Sequence, residues 1–385
     1  MQLKVFTAFS GYDSQCMALD RLHRHNPDFN YELVGWAEID KYAIAAHNAV
    51  YPQWAERNYG DISKIDWAQV PDFDLFTYSS PCQDFSQAGK QAGGTEGSGT
   101  RSSLLWECRR AILAKKPKYL LMENVAALVS QKFIRLFNAW QLELESYGYR
   151  NFAKVLNAKD YGVPQNRERI FMVSVLDEQA RYEFPDPMPL TLRLKDVLEP
   201  KVDERYYLSE KIVKGFFEHK KRHAGKGNGF SFEPTTGEGI AHGLSTHPND
   251  RATDNFILEP LKSKNSRLIK LIKEQGDKFK DGAFLDCYNQ QVLGDIAGTI
   301  TVGINFRCLW FVVIGDNPYR IRKLTERECF RLMDVPEEYI DRIQAAGISR
   351  SQQYKMAGNS IVVSCMYHIW RKLWIDTQIK TLTLF

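Results

Sequence analysis

The chain has no Cys-x-x-Cys pair, no Lys-Ser/Thr phosphate loop, no internal repeat and no apolar run long enough for a membrane helix. Each absence excludes something. The seven cysteines are scattered at positions 16, 82, 108, 287, 308, 329 and 365. An odd set of this kind argues against both a disulfide framework and a structural zinc site. The longest uninterrupted apolar stretch, Cys308–Ile314, suits a buried strand and is far too short to span a bilayer. Without a Lys-Ser/Thr loop, a nucleoside triphosphate has no evident seat. No cleavable leader precedes the strand-like run Met1–Phe6, so a cytoplasmic protein with no membrane partner is expected.

What is present starts with size: 385 residues, 44% of them hydrophobic, are enough for one large and one smaller domain. The net charge of +4 is modest but uneven, since residues 201–280 hold sixteen Lys and Arg against eleven Asp and Glu. A basic block is what a polyanion-binding module would show, and equally what a solvated surface shows.

Residues 1–175 alternate between strand-like and helix-like runs. Strands are predicted at Val5–Phe9, Tyr31–Ala37, Asp74–Tyr78, Tyr119–Met122, Arg150–Leu156 and Arg169–Val175. Helices are predicted at Ser14–His25, Lys41–Val50, Leu104–Ala114 and Lys132–Ser146. That rhythm indicates an α/β fold with a doubly wound, mostly parallel sheet. Pro185, Pro187 and Pro189 break it and read as a linker. Residues 190–320 read as irregular, before a helix at Thr325–Met333 whose Thr325-x-x-Glu328 has the form of a capping box. An apolar helix near Ile361–Trp374 closes the pattern. The expected division is a catalytic domain of residues 1–182 plus 352–385 and a smaller, irregular domain of 183–351.

Candidate chemistry gathers at the ends of the strands, where open α/β sheets bind ligands. The first turn, Ser10-Gly11-Tyr12-Asp13-Ser14, can be a plain helix start or a seat for a charged small molecule at a helix N-terminus. Glu38 follows the second strand, about where doubly wound folds put the acidic residue that holds a ribose. Asp61 is a third acidic candidate, and together these turns suggest an adenosine-containing cofactor. Cys82 lies between Pro81 and Gln83, ahead of a Gly- and Ser-rich stretch from Ser86 to Gly99 that could close as a lid. Glu123 ends an apolar run, where burial would keep its carboxyl protonated. Arg167 and Arg169 share one face and suit phosphate or carbonyl oxygens, or else an ion pair with Glu168.

Pro81-Cys82-Gln83-x-Phe85-Ser86, Glu123-Asn124-Val125, Gln165-x-Arg167-x-Arg169 and Gly358-Asn359-Ser360 occur in this order and spacing. Together they resemble the DNA (cytosine-5)-methyltransferase family, as does Arg322-Lys323-Leu324-Thr325-x-Arg327-Glu328. The likeness covers about residues 1–175 and 320–370 and implies an S-adenosylmethionine-dependent methyltransferase fold. It implies Cys82 as the nucleophile on carbon 6 of a flipped-out cytosine, and Glu123 on the ring nitrogen and exocyclic amine. Arg169 would sit at the cytosine carbonyl, with Arg167 supporting the site and Asn124 orienting the Cys82 loop. For the cofactor it points to Phe9, Gly11, Glu38, Asp61, Ile62, Pro81, Leu104 and Asn359, with no metal.

The irregular segment sits where that family carries its target-recognition domain. Lys220–His223 and Gly225–Phe230 suit a loop hugging a DNA backbone, and Thr299-Ile300-Thr301 resembles a threonine-centred element of that domain. The implied partner is double-stranded DNA, read by a monomer, with a separate restriction endonuclease as a possible companion. Transfer RNA is the alternative substrate, and a catalytically silent DNA-binding relative the alternative role. One departure stands out. The family's first turn usually reads Phe-x-Gly-x-Gly-Gly, and here Asp13 and Ser14 replace the last two glycines. Aspartate tolerates unusual backbone angles better than most residues, so the turn is expected to survive.

Overall fold

The computed structural model describes residues 2–80, 104–223, 232–246, 251–260, 284–286, 291–293, 312–314 and 317–376. Chain contacts divide it into two compact units, Met1–Leu192 with Phe330–Phe385, and Arg193–Cys329.

The first unit is built on strands β1 (Gln2–Ala8), β2 (Asn30–Ala37), β3 (Leu75–Tyr78), β4 (Tyr119–Val125), β5 (Arg150–Asn157) and β7 (Glu168–Val175). A two-residue strand, β6 (Gln165–Asn166), precedes the last of these. The main sheet runs in the order β2-β1-β3-β4-β7-β5. The pairings β1–β2, β1–β3 and β3–β4 are parallel, while β7 runs antiparallel to both β4 and β5. The α/β, mostly parallel reading therefore holds, with one reversed strand slotted between two parallel ones.

Helices α1 (Ser14–His25), α2 (Lys41–Val50), α3 (Glu107–Lys115) and α4 (Ile134–Ser146) connect the strands. The limits of α1 and α2 coincide with the sequence expectation because each start is marked by an aspartate. Asp13 accepts a hydrogen bond from the Cys16 N–H, and Asp40 from the Tyr42 N–H. One face of the sheet is filled by Phe6, Trp67, Phe73, Phe76 and Trp140, all buried. Aromatic side chains of this size each remove about 1.5–3 kcal/mol of apolar exposure from water.

Further along, helix α6 (Glu326–Arg331) spans the division between the units. Helices α7 (Glu337–Ala345), α8 (Arg350–Asn359) and α9 (Val363–Arg371) belong to the first unit. Helix α9 packs on α1, and α7 on α2. Residues 330–351 thus join the first unit by their contacts, and so does the proline-rich stretch, where Tyr161 donates to the Pro185 carbonyl.

In the second unit, helix α5 (Glu210–His223) replaces the loop expected at Lys220–His223, which forms the helix's last turn. Strands β9 (Phe256–Pro260), β12 (Val312–Ile314) and β13 (Asn317–Lys323) form an antiparallel sheet in the order β12-β13-β9. Among the described residues the unit also has the short strands β8 (Ala241–His242), β10 (Phe284–Asp286) and β11 (Gln291–Leu293). Leu208, Val213, Phe232, Phe256, Leu258 and Ile321 make its core. The expected elements at Gly225–Phe230 and Thr299–Thr301 lie outside the described residues.

The capping box closes in both directions. Thr325 N–H donates to the Glu328 carboxylate at 2.8 Å, and Glu328 N–H donates to Thr325 Oγ1 at 3.1 Å. The same carboxylate takes two hydrogen bonds of 2.9 Å from the fully buried Arg322, whose Nε reaches Glu259 at 2.8 Å. Arg322→Met is expected to lower the unit's stability by about 3–5 kcal/mol, because Glu328 keeps a buried charge without its partner. Chemical denaturation checks this, and the double variant Arg322→Met with Glu328→Gln should recover most of the loss.

Candidate active site

The chemistry-bearing side chains of the first unit lie at the C-terminal ends of its parallel strands and in the turns that follow. Val125 of β4 faces Arg169 of β7, and Glu123 faces Phe171. Glu123 and Arg169 are therefore diagonal neighbours on one face of an antiparallel pair, within reach of long side chains. Arg169 Nε lies 3.2 Å from Glu123 Oε1. Glu123 is only 7% exposed, and burial pushes its carboxyl above the usual range, against the opposing pull of Arg169 and Arg167. A carboxyl raised in this way can hold a proton and donate it, while the guanidinium beside it remains a donor to an oxygen.

Asn124, on the opposite face, is buried and donates through Nδ2 to the Ser80 carbonyl at 3.1 Å and to Ser80 Oγ at 3.3 Å. It thus fixes the backbone two residues before Cys82. Pro81 and Cys82 themselves lie outside the described residues, as does the Ser86–Gly99 stretch.

Arg167 points elsewhere than Arg169. It is buried, and its Nη2 donates to the carbonyls of Gly358 and Ser360, each at 2.8 Å. Those carbonyls flank Asn359, the last residue of α8, whose side chain is exposed. Arg167 therefore anchors the C-terminal end of α8 to the strand that carries Arg169. Of the two readings for the arginine pair, an ion pair with Glu168 is not seen among the described residues; Arg169 Nη1 donates to the Glu168 carbonyl at 2.8 Å while its Nε faces Glu123.

Two of the cofactor candidates, Gly11 and Glu38, are brought into contact. Gly11 adopts φ +60°, a left-handed conformation that glycine enters freely, and its N–H donates to Glu38 Oε2 at 3.0 Å. Glu38 Oε1 accepts from the N–H groups of Ile39 and Asp40 at 2.8 and 2.9 Å. The carboxylate is thereby locked at the end of β2, facing the first turn. Phe9, at φ +55°, is half-buried at the mouth of that turn. Asp61 caps a short 3-10 turn, accepting from the hydroxyl and the N–H of Ser63, and the hydroxyl above all holds its carboxyl below the usual range. Ile62 is buried in the core, so only its backbone can face a ligand. Leu104 is half-buried ahead of α3.

Two side chains adjoining these residues carry no signal in the sequence. Ile39, between Glu38 and Asp40, is 71% exposed, an apolar surface beside the locked carboxylate. Ser80 reads as an ordinary strand-end serine until Asn124 is seen to hold it.

The fold is that of an S-adenosylmethionine-type methyltransferase, and the paired Glu123 and Arg169 are groups suited to a pyrimidine ring. The protein belongs to the C-5 cytosine-specific DNA methylase family, whose model matches residues 3–374. It is a DNA (cytosine-5)-methyltransferase. The type II methyltransferase M2.ScrFI of Lactococcus lactis subsp. cremoris is 32% identical, over 96% of this chain and 99% of its own. The orphan methyltransferase M.SPRI of Bacillus phage SPR is 30% identical, over 98% of this chain and 99% of its own. Among solved structures, the Dnmt2 methyltransferase of S. pombe superposes with a TM-score of 0.64 at 17% identity, covering 98% of this chain and 99% of that one. At that identity the likeness concerns the fold.

Proposed function

We propose that the protein methylates carbon 5 of a specific cytosine in double-stranded DNA, using S-adenosylmethionine and a covalent link from Cys82 to carbon 6 of the base. The observation that carries this reading is the buried Glu123 carboxyl lying 3.2 Å from Arg169. A protonated carboxyl donates to the ring nitrogen N3 and accepts from the exocyclic amine, while the guanidinium takes the carbonyl O2. Those three positions identify cytosine against thymine, whose N3 is itself a donor.

Electron density withdrawn at N3 makes carbon 6 open to attack by the Cys82 thiolate, after which carbon 5 is nucleophilic. Once carbon 5 carries the methyl group, loss of its proton to solvent and expulsion of the Cys82 thiolate restore the ring. A target carbon inside a base stack must be flipped out, and the Ser86–Gly99 stretch is suited to close behind it.

The residues after β2 and at the Asp61 turn fit the cofactor chemically. The locked Glu38 carboxylate offers acceptors to ribose hydroxyls, Asp61 an acceptor to the adenine amine, and Ile39 an apolar surface for the purine ring. Phe9, Gly11, Pro81, Leu104 and Asn359 would line the rest. S-adenosylmethionine, when bound, supplies an electrophilic methyl group on a sulfonium.

The segment 183–351, whose compact part is Arg193–Cys329, is assigned target recognition. Its basic block supplies phosphate contacts, and its polar side chains read base edges. The biological role that follows is protection of DNA within a restriction–modification or phage system.

The test is methyl transfer from labelled S-adenosylmethionine to duplex DNA and, separately, to transfer RNA. Bisulfite sequencing of DNA from cells expressing the protein then gives the base and the site. Methylated cytosine at a fixed duplex sequence is expected. Activity confined to transfer RNA would overturn the choice of substrate, and transfer to neither would favour a silent DNA-binding role.

A further inference from the structure

The first turn holds a buried device of its own behind the face turned toward Glu38. Within five residues, Phe9, Gly11 and Asp13 all have positive φ, at 55°, 60° and 66°. Only one of the three is glycine, so the turn resists its own conformation. Asp13 is wholly buried and its carboxylate is divided between two tasks. Oδ1 accepts from the Cys16 N–H at 3.1 Å, capping α1, and Oδ2 accepts from Thr7 Oγ1 at 2.9 Å. The Asp13 N–H in turn donates to the Ser10 carbonyl at 2.8 Å.

Behind the carboxylate stands His47 of α2, also wholly buried. Its Nε2 is 3.5 Å from Asp13 Oδ2, and its ring lies flat on Trp36 at 3.7 Å between centroids. Neither ring nitrogen of His47 makes a hydrogen bond. Ser14 accepts a hydrogen bond of 3.2 Å from Ser360, at the end of α8 that Arg167 anchors. Each side chain standing where the family usually has glycine therefore ties the turn to a different part of the first unit.

We propose that Asp13 is a positioning residue for the cofactor: its carboxylate, held by Thr7 and the Cys16 N–H with His47 behind it, locks the turn so that the Gly11 N–H meets Glu38. The inference rests on the cofactor assignment made above. Asp13 does not touch the ligand, since it is buried on the far side of the turn. It acts through the fraction of molecules whose turn is ready to bind, and the apparent dissociation constant rises as that fraction falls.

Three variants separate the carboxylate from the backbone angle. Asp13→Gly keeps the left-handed angle at no cost but removes both side-chain bonds. Asp13→Asn keeps tolerance of the angle and one oxygen for the cap. Thr7→Val removes the hydroxyl donor and leaves Asp13 in place. Calorimetric titration of the full chain with S-adenosylmethionine is compared with kcat and KM on duplex DNA.

Asp13→Gly is expected to raise both Kd and the cofactor KM about tenfold, with kcat at saturation unchanged, as loss of a buried helix cap in a binding turn implies. Asp13→Asn should recover most of that loss, and Thr7→Val should shift Kd the same way by a smaller factor. If Asp13→Gly binds like the wild type, the angle alone matters and the inference is wrong. A fall in kcat with unchanged KM would also overturn it. If Asp13→Gly does not fold, the Asn and Val variants decide by the same criteria. Wild-type protein that binds no S-adenosylmethionine would instead sink the cofactor assignment, and this inference with it.

Discussion

Cys82→Ser is expected to abolish the covalent complex with duplex DNA that carries 5-fluorocytosine at the target, and to take methylation below detection. The trap works because the carbon 5 substituent must leave as a cation for the thiolate to be expelled. A proton can do so and fluorine cannot, so the bond from sulfur to carbon 6 persists. Serine fails in both directions: its hydroxyl is far less ionised at neutral pH, and an alkoxide is a poorer leaving group than a thiolate.

None of the described cysteines can stand in for Cys82. Cys16, Cys108, Cys329 and Cys365 are all buried, and burial pushes each thiol up and away from the thiolate form. Denaturing gel electrophoresis shows the adduct as a band of increased mass. A band that survives Cys82→Ser would remove Cys82 from the mechanism, whereas its loss together with unchanged melting and cofactor binding would isolate the defect to the nucleophile.

Much of the first unit was legible from local signals. Aspartates at positions 13 and 40 announce α1 and α2, and apolar runs mark the strands, so those limits fall within a few residues of the structure. What could not be read was direction. The period of a buried strand is the same whether its neighbour runs parallel or antiparallel, and so the reversal of β7 against β4 and β5 emerges only from pairing. Helix α5 was hidden by its composition. Lys220, Lys221 and Arg222 look like a DNA-contacting loop, but the apolar face they follow makes them the end of a helix.

The site divides in the same way. Cys82, Glu123, Arg169, Glu38 and Gly11 stand in short motifs whose chemistry is local. The roles of Thr7, His47, Ser80 and Ser360 depend on partners at least six residues away, from Thr7 and Asp13 to Ser14 and Ser360, 346 residues apart. In sequence, each of these four looks like an ordinary member of its element.

Glu123→Gln is the sharper test of how the ring is activated. An amide can still donate to N3 and accept from the exocyclic amine, so recognition of the base should survive and DNA affinity should change little. What the amide cannot do is pass a proton to the ring as carbon 6 is attacked. A fall in kcat of about 10²–10⁴ is therefore expected, the usual worth of a positioned proton donor. The pH dependence supplies a second reading of the same group. Activity needs Glu123 protonated, so the wild-type rate should decline as pH climbs past its raised pKa, and the Gln variant should lose that alkaline limb. Stability must move in step. Between the ordinary carboxylate range and the raised folded value, the folded chain keeps a proton that the unfolded chain has released. Wild-type stability therefore drops as pH rises through that window, and none of this loss appears below it. Thermal melting from acidic to neutral pH should show the drop in the wild type and a flatter curve in Glu123→Gln. Equal slopes in the two proteins would mean that Glu123 is ionised at rest beside Arg169, and that the proton comes from elsewhere.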